Sequence, residues 1–215
     1  MAEQAAADLA VEGVVHDLNN VSQTVSEAAY LLSSDPQWSS IAAMLDRSVE
    51  RGRLVVQCLG EKSTSYGELE QVVDSAIEFA GDVLQALRIP GIEFYRDIQP
   101  GIRLRGMPGC WERALLNLFV NAGEAMQQGG IVEVSARRVA DQVEITVADN
   151  GPGIPEELLP VIFKPNFSTR RRGSGMGLHI VETVVRRNGG RVTAANRGGA
   201  SGAEFRITVP AAAST

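Results

Sequence analysis

The chain has 215 residues, of which 44% are hydrophobic and 21% charged, a composition that demands a packed core and excludes a disordered chain. The length fits one large domain, or a small one followed by a medium one. With 20 basic residues against 26 acidic ones the net charge is −6, which argues against a nucleic-acid or anionic-membrane partner on bulk electrostatics.

Residues 3–33 read as a helix with no proline, and residues 37–60 as a second helix after a Ser-Ser-Asp-Pro turn. The first carries a stripe at Val11, Val14, Leu18, Val21, Val25, Ala28 and Leu32. The second carries one at Trp38, Ile41, Leu45, Ser48, Gly52, Val55 and Leu59. A 3, 4, 3, 4 spacing is the seam of a coiled coil or bundle. Two short antiparallel helices cannot bury such stripes alone, so a homodimer forming a four-helix bundle is expected. Gly60 to Gly67 is read as a polar hinge, dividing a hairpin at 1–62 from a second domain at 63–215.

Beyond it, residues 69–89 have helical periodicity. Ile92–Ile98 and Ile102–Arg105 read as strands, Trp111–Gln127 as a helix, and Ile131–Arg138 and Val143–Ala148 as strands around a turn at Ala140-Asp141. Gly177–Arg187 reads as a helix closed by Asn188-Gly189-Gly190, and Arg191–Asn196 and Ala203–Val209 as a final strand pair. The expected class is α+β: a helical-hairpin dimerisation domain followed by an α/β sandwich, one mixed sheet with helices on one face.

No apolar run approaches the roughly 18 residues that span a bilayer, and the acidic, Ala-rich start lacks a secretory pattern. A soluble, cytoplasmic protein is expected, with any sensing part on another protein or outside this chain. Cys58 and Cys110 have no metal-ligand spacing and are expected as reduced thiols.

Chemistry concentrates in four segments of the second domain. Asn117 and Asn121 lie four apart, on one face of a helix, and an amide oxygen suits a hard metal ion already neutralised by phosphate. Asp149 ends an apolar strand and precedes Asn-Gly-Pro-Gly-Ile-Pro. A carboxylate there can accept the adenine amino proton, and Gly151 and Gly153 permit close approach. Residues 163–178 begin with two phenylalanines and end at a helix start. Between them runs a loop of about ten residues rich in Ser, Arg and Gly, the composition of a mobile lid. Its glycines and the helix N-terminus present N–H groups suited to phosphates. Lys164 or one of Arg170–Arg172 could add charge, and which of them points inward stays open.

This order of boxes over residues 64–210 resembles the ATP-binding domain of sensor histidine kinases, a fold shared with gyrase, heat-shock chaperone and mismatch-repair ATPases. The resemblance implies an ATP site made from Asn117, Asn121, Asp149, Gly151, Gly153, Ile154, Lys164, Thr169, Arg170, Gly173, Gly175, Met176, Gly177 and Leu178. It also implies that Asn121 holds Mg²⁺ and that Asp149 reads adenine. Asn166 stands where the family usually has a second aromatic. Hydrolytic relatives carry a glutamate where this chain has Asn117, so water is not the expected nucleophile.

The chain has two histidines. His179 falls inside the last helix and is expected to be structural or partly exposed. His16 is different: with Val14 at d and Leu18 at a, it takes heptad position f, farthest from the core. Asp17 adjoins it at g, and Asn20 flanks it one turn on. A carboxylate beside an exposed imidazole can hold one ring N–H and accept its proton. The segment His-Asp-Leu-Asn-Asn resembles the phosphoacceptor box of histidine kinases, over about residues 8–60. The resemblance implies that His16 is the phosphoacceptor, Asp17 its base and Asn20 a residue for dephosphorylating the partner, a response-regulator receiver domain. The competing expectations are a phosphotransfer scaffold with a vestigial ATP fold, an anti-sigma-type serine kinase, and an ATP hydrolase.

Overall fold

The fold is described from a computed structural model. The described residues are 65–168, 175–198 and 201–212, together with 21, 23–33, 35, 37, 38, 41, 42, 45 and 49. The chain divides into two compact units, residues 1–62 and 63–215.

In the first unit, residues 21 and 23–33 are helical, as are 41, 42, 45 and 49. The buried positions are Ala29, Ala42 and Val49, each one residue beyond the expected stripe. The stripe itself stays open: Val21 is 61% exposed, Trp38 41% and Ile41 40%. Ala28 is exposed as well, and Val25, Leu32 and Leu45 are half-buried. Small alanines at the buried positions allow close approach, which leaves the larger side chains of the stripe facing outward. Val11, Val14, Leu18, Ser48, Gly52, Val55 and Leu59 lie outside the described residues.

The second unit runs β1 (Tyr66–Glu68), α1 (Leu69–Ala86), β2 (Ile92–Ile98), β3 (Arg103–Arg105), α2 (Pro108–Met126), β4 (Gly130–Val139), β5 (Gln142–Asp149), α3 (Gly177–Arg187), β6 (Arg191–Asn196) and β7 (Ala203–Pro210). Five strands form one sheet in the order β2-β4-β5-β7-β6. β2 pairs parallel with β4, and the other pairings are antiparallel, so the sheet is mixed. Alternation decides its faces. Val132, Val134 and Ala136 on β4, Val143, Ile145 and Val147 on β5, and Phe205, Ile207 and Val209 on β7 are buried. The helices cover that face. α1 buries Leu69, Val72, Val73, Ala76, Ala80 and Leu84, and α2 buries Trp111, Leu115, Leu118 and Phe119. Each large side chain so buried contributes roughly 1.5–3 kcal/mol. Trp111 Nε1 donates to Arg105 O at 2.8 Å, so its one polar atom is satisfied.

Four expectations are corrected. Tyr66 and Gly67 belong to a strand, not the hinge: β1 pairs antiparallel with β3 as a separate two-stranded sheet. α1 stops at Ala86 rather than residue 89, because Arg88 takes a φ of 59° that no helix continues. α2 starts at Pro108, which has its ring fixed for the first turn of a helix. Cys110 is disulfide-bonded rather than a free thiol. Cys58 lies outside the described residues. Among the described residues no helix is long and apolar enough to cross a membrane.

Candidate functional site

Among the described residues, α2 carries Asn117 and Asn121 and touches two of the other chemistry-bearing segments. Its N-terminal half buries an apolar face on the sheet and leaves Asn117 and Asn121 half-buried, one turn apart. Asn117 reaches the start of α3: a Cβ placed on Gly177 would lie 3.3 Å from Asn117 Oδ1. At the other end of α2, Met126 Cγ lies 3.0 Å and Ala125 Cβ 3.9 Å from where a Gly151 Cβ would stand. One helix therefore touches both the first glycine box, residues 149–155, and the second, which ends at Gly177 and Leu178.

Asp149 closes β5 and is 5% exposed, the buried charged residue among the described ones. Its Oδ1 accepts from Gly151 N–H at 2.9 Å and from Ala203 N–H at 3.2 Å. These bonds orient the carboxylate, and Oδ2 takes part in none of the described hydrogen bonds. A buried carboxylate held this way can receive a hydrogen bond from a ligand's amino group. Gly153 has a φ of +80° and stands where a Cβ would lie 2.7 Å from Asn196 Oδ1. Here glycine is required by both conformation and space.

The segment after the first glycine box packs by its aromatics. The ring of Phe163 meets Phe205 of β7 edge-on at 6.4 Å. His179 Nδ1 lies 3.2 Å from Phe163 O. A carbonyl only accepts, so Nδ1 carries the proton. His179 is thus a half-buried structural residue, as expected. Asn166 takes a φ of 61°, and a Cβ on Gly175 would lie 2.5 Å from Asn166 C. The second glycine box is therefore packed on the end of the phenylalanine segment. Lys164 is exposed, and its N–H donates to Val161 O at 3.0 Å. Met176 precedes α3 as its cap residue and makes no side-chain cap bond.

The residues fit a phosphate-bearing ligand. Asn117 Nδ2 is buried and finds no hydrogen-bond partner among the described residues. Leaving such a donor unmade costs roughly 1–3 kcal/mol, which a ligand oxygen would recover. Glu112, earlier on α2, has its carboxyl held above the ordinary range by burial.

Of the residues expected from sequence, the structure sets Asn117 beside Gly177, and Asp149 and the C-terminal end of α2 beside Gly151, while Asn121, Gly153, Ile154, Gly175, Met176 and Leu178 lie on the same elements and their connecting loops. His16, Asp17, Asn20, Thr169, Arg170 and Gly173 lie outside the described residues. Sequence reasoning missed the loop behind the first glycine box. Asn196 bonds both backbone groups of Ile154, Ser201 Oγ donates to Gly151 O at 2.5 Å, and Arg197 Nη1 donates to Asp149 O at 3.4 Å. Arg197 also pairs with Glu133 at 2.8 Å. The signal available for this loop was a cluster of Asn, Gly and Ser between two strands, which marks any turn equally well.

Residues 109–213 match the family of histidine kinase-, DNA gyrase B- and HSP90-like ATPases. The chain is 30% identical over 211 residues to the sensor histidine kinase ZraS of Klebsiella oxytoca, covering 92% of this chain and 45% of that one. It is 31% identical over 215 residues to the sensor protein FixL of Bradyrhizobium diazoefficiens, covering 93% and 42%. The chain thus spans less than half the length of these relatives. Among solved structures, the mycobacterial sensor histidine kinase MprB superposes with a TM-score of 0.60 at 28% identity, over 69% of this chain and 97% of that one. With the fold, the box order and these matches in agreement, the chain carries a histidine kinase catalytic core, with the ATPase fold that those kinases share with DNA gyrase B and HSP90.

Proposed function

We propose that this chain transfers the γ-phosphoryl group of ATP to its own His16, and from there to an aspartate on a response-regulator receiver domain. The observation that carries the reading is α2, which meets the base-reading box at its C-terminal end and the phosphate-binding box at its middle, through Asn117. Asp149 Oδ2 accepts from the adenine amino group. Asn117 Nδ2 donates to a phosphate oxygen, and the N–H groups at the start of α3 take the phosphates. Asn121 holds Mg²⁺, which when bound neutralises phosphate charge. Lys164, Thr169 and Arg170 supply further contacts to the phosphates.

Asn117 stands where a water-activating glutamate would make the chain a hydrolase, and an amide cannot accept that proton. The nucleophile is instead an imidazole nitrogen of His16. Asp17 takes the proton from the other ring nitrogen as the N–P bond forms and the bond to the β-phosphate oxygen breaks, releasing ADP. The hairpin dimerises through its apolar stripe, and the protein works in the cytoplasm. Asn20 orients water for the reverse task, dephosphorylating the regulator.

Incubation with γ-labelled ATP and Mg²⁺ tests this. Wild type should acquire acid-labile label, and His16→Gln should acquire none. Undiminished label on His16→Gln would sink the proposal. In the same assay Asn20→Ala should label normally while losing most of its regulator phosphatase activity. Equal loss of both activities would reject the separate role of Asn20.

A further inference from the structure

We infer that Asn196 is a positioning residue for base recognition, holding the first glycine box from behind through Ile154. The inference rests on the reading of this pocket as an ATP site. Asn196 is the last residue of β6. Its Oδ1 accepts from Ile154 N–H at 2.7 Å, and its Nδ2 donates to Ile154 O at 2.7 Å. A flipped amide would set NH₂ against N–H and oxygen against oxygen, so the orientation is dictated by the chemistry. The side-chain amide thereby supplies the donor and acceptor that a neighbouring strand would, at a loop that belongs to no strand.

Three further observations give this clamp its purpose. Gly153, directly before Ile154, clears the path: a Cβ there would sit 2.7 Å from Asn196 Oδ1. The residues after Asn196 fasten the rest of the box, with Ser201 on Gly151 O, Arg197 on Asp149 O and Ala203 N–H on Asp149 Oδ1. Gly202 is so close that a Cβ would lie 1.8 Å from Asp149 O. The β6–β7 connection thus holds Asp149, Gly151 and Ile154 by their backbone groups and by one carboxylate oxygen. What it leaves to the pocket is Asp149 Oδ2. Among the described residues, the side-chain hydrogen bonds of Asn196 go to Ile154 and none goes to the phosphate-binding side. Loss of Asn196 should therefore loosen recognition of the base and spare recognition of the phosphates.

The test measures affinity of the full chain for ATP and for GTP, each with Mg²⁺, by calorimetry. Wild type should prefer ATP. Asn196→Leu is nearly isosteric and can neither donate nor accept. It should lose about tenfold in ATP affinity while GTP affinity stays within about twofold, collapsing the preference. Asn196→Asp keeps the acceptor for Ile154 N–H but sets an oxygen against Ile154 O, so it should fall between the two. Far-ultraviolet circular dichroism and melting curves establish that each variant is folded. If Asn196→Leu keeps the wild-type preference, or weakens ATP and GTP in equal proportion, the inference is overturned alone. If wild type shows no preference for ATP, the base-reading role of Asp149 falls and the inference with it. Should Asn196→Leu fail to fold, the Asn196→Asp variant decides by the same ratio.

Discussion

Asp149 shows how a single atom can be assigned a task. Its Oδ1 already accepts from two backbone N–H groups. In Asp149→Asn the amide oxygen must keep that place, because an NH₂ there would face two donors. The new NH₂ is then forced into the position meant to receive the adenine amino group, donor against donor. ATP affinity should fall by about tenfold or more, with little change in melting temperature. Calorimetry of the two proteins checks this, and unchanged affinity would remove Asp149 from the site. Asp149 was legible in the sequence because a carboxylate at the end of an apolar strand, before Asn-Gly, is a local pattern. Asn196 was not, because its partner is Ile154, 42 residues earlier, and nothing in a turn-rich segment says which backbone its amide will meet.

At the scale of elements, glycines separate conformational freedom from close approach. Gly81 sits inside α1, and a Cβ added there meets nothing within 4 Å. Gly81→Ala should stabilise the fold by roughly 0.5–1 kcal/mol, by restricting the unfolded chain and favouring helix. Gly202 has a φ of +127° and no room for a Cβ against Asp149 O. Gly202→Ala should destabilise by roughly 2–4 kcal/mol from strain and overpacking together. Thermal denaturation of the pair checks both signs, and a stabilised Gly202→Ala would refute the packing argument. Strands β2, β4, β5, β6 and β7 were readable because each is long enough to alternate. β1 was not: it follows a Gly-, Ser- and Thr-bearing segment that reads as a hinge, and its pairing with β3 spans a whole helix. The end of α1 was missed for a related reason, since the apolar Leu87 and Ile89 extend the periodicity past the point where the backbone leaves the helix.

For the whole molecule, the open question in one chain is the outward stripe of the hairpin. Val21, Trp38 and Ile41 expose large apolar surface at positions spaced for a seam. Burying them against a second copy removes that surface from water at roughly 25 cal/mol per Å². Light scattering should therefore give twice the chain mass, and Ile41→Asp should shift it toward the monomer. A wild-type protein that stays monomeric at all concentrations would contradict the four-helix bundle. Heptad spacing named the stripe, but the described buried positions, Ala29, Ala42 and Val49, each lie one residue beyond it. A shift of one residue depends on which side chains are small enough to sit between two helices, and Ala29 and Ala42 decided it.

Helix α2 has one more consequence. It runs from the asparagine beside the phosphate box at 117 to the contacts beside the base box at 125 and 126. At 1.5 Å per residue, nine residues make a rigid gauge of about 13 Å between the two recognition sites. Inserting or deleting one residue would change that separation and turn one end by about 100° relative to the other. On the proposed ATP reading the gauge would select ligands by length, and the helix could change almost any solvent-facing residue before it could change its count.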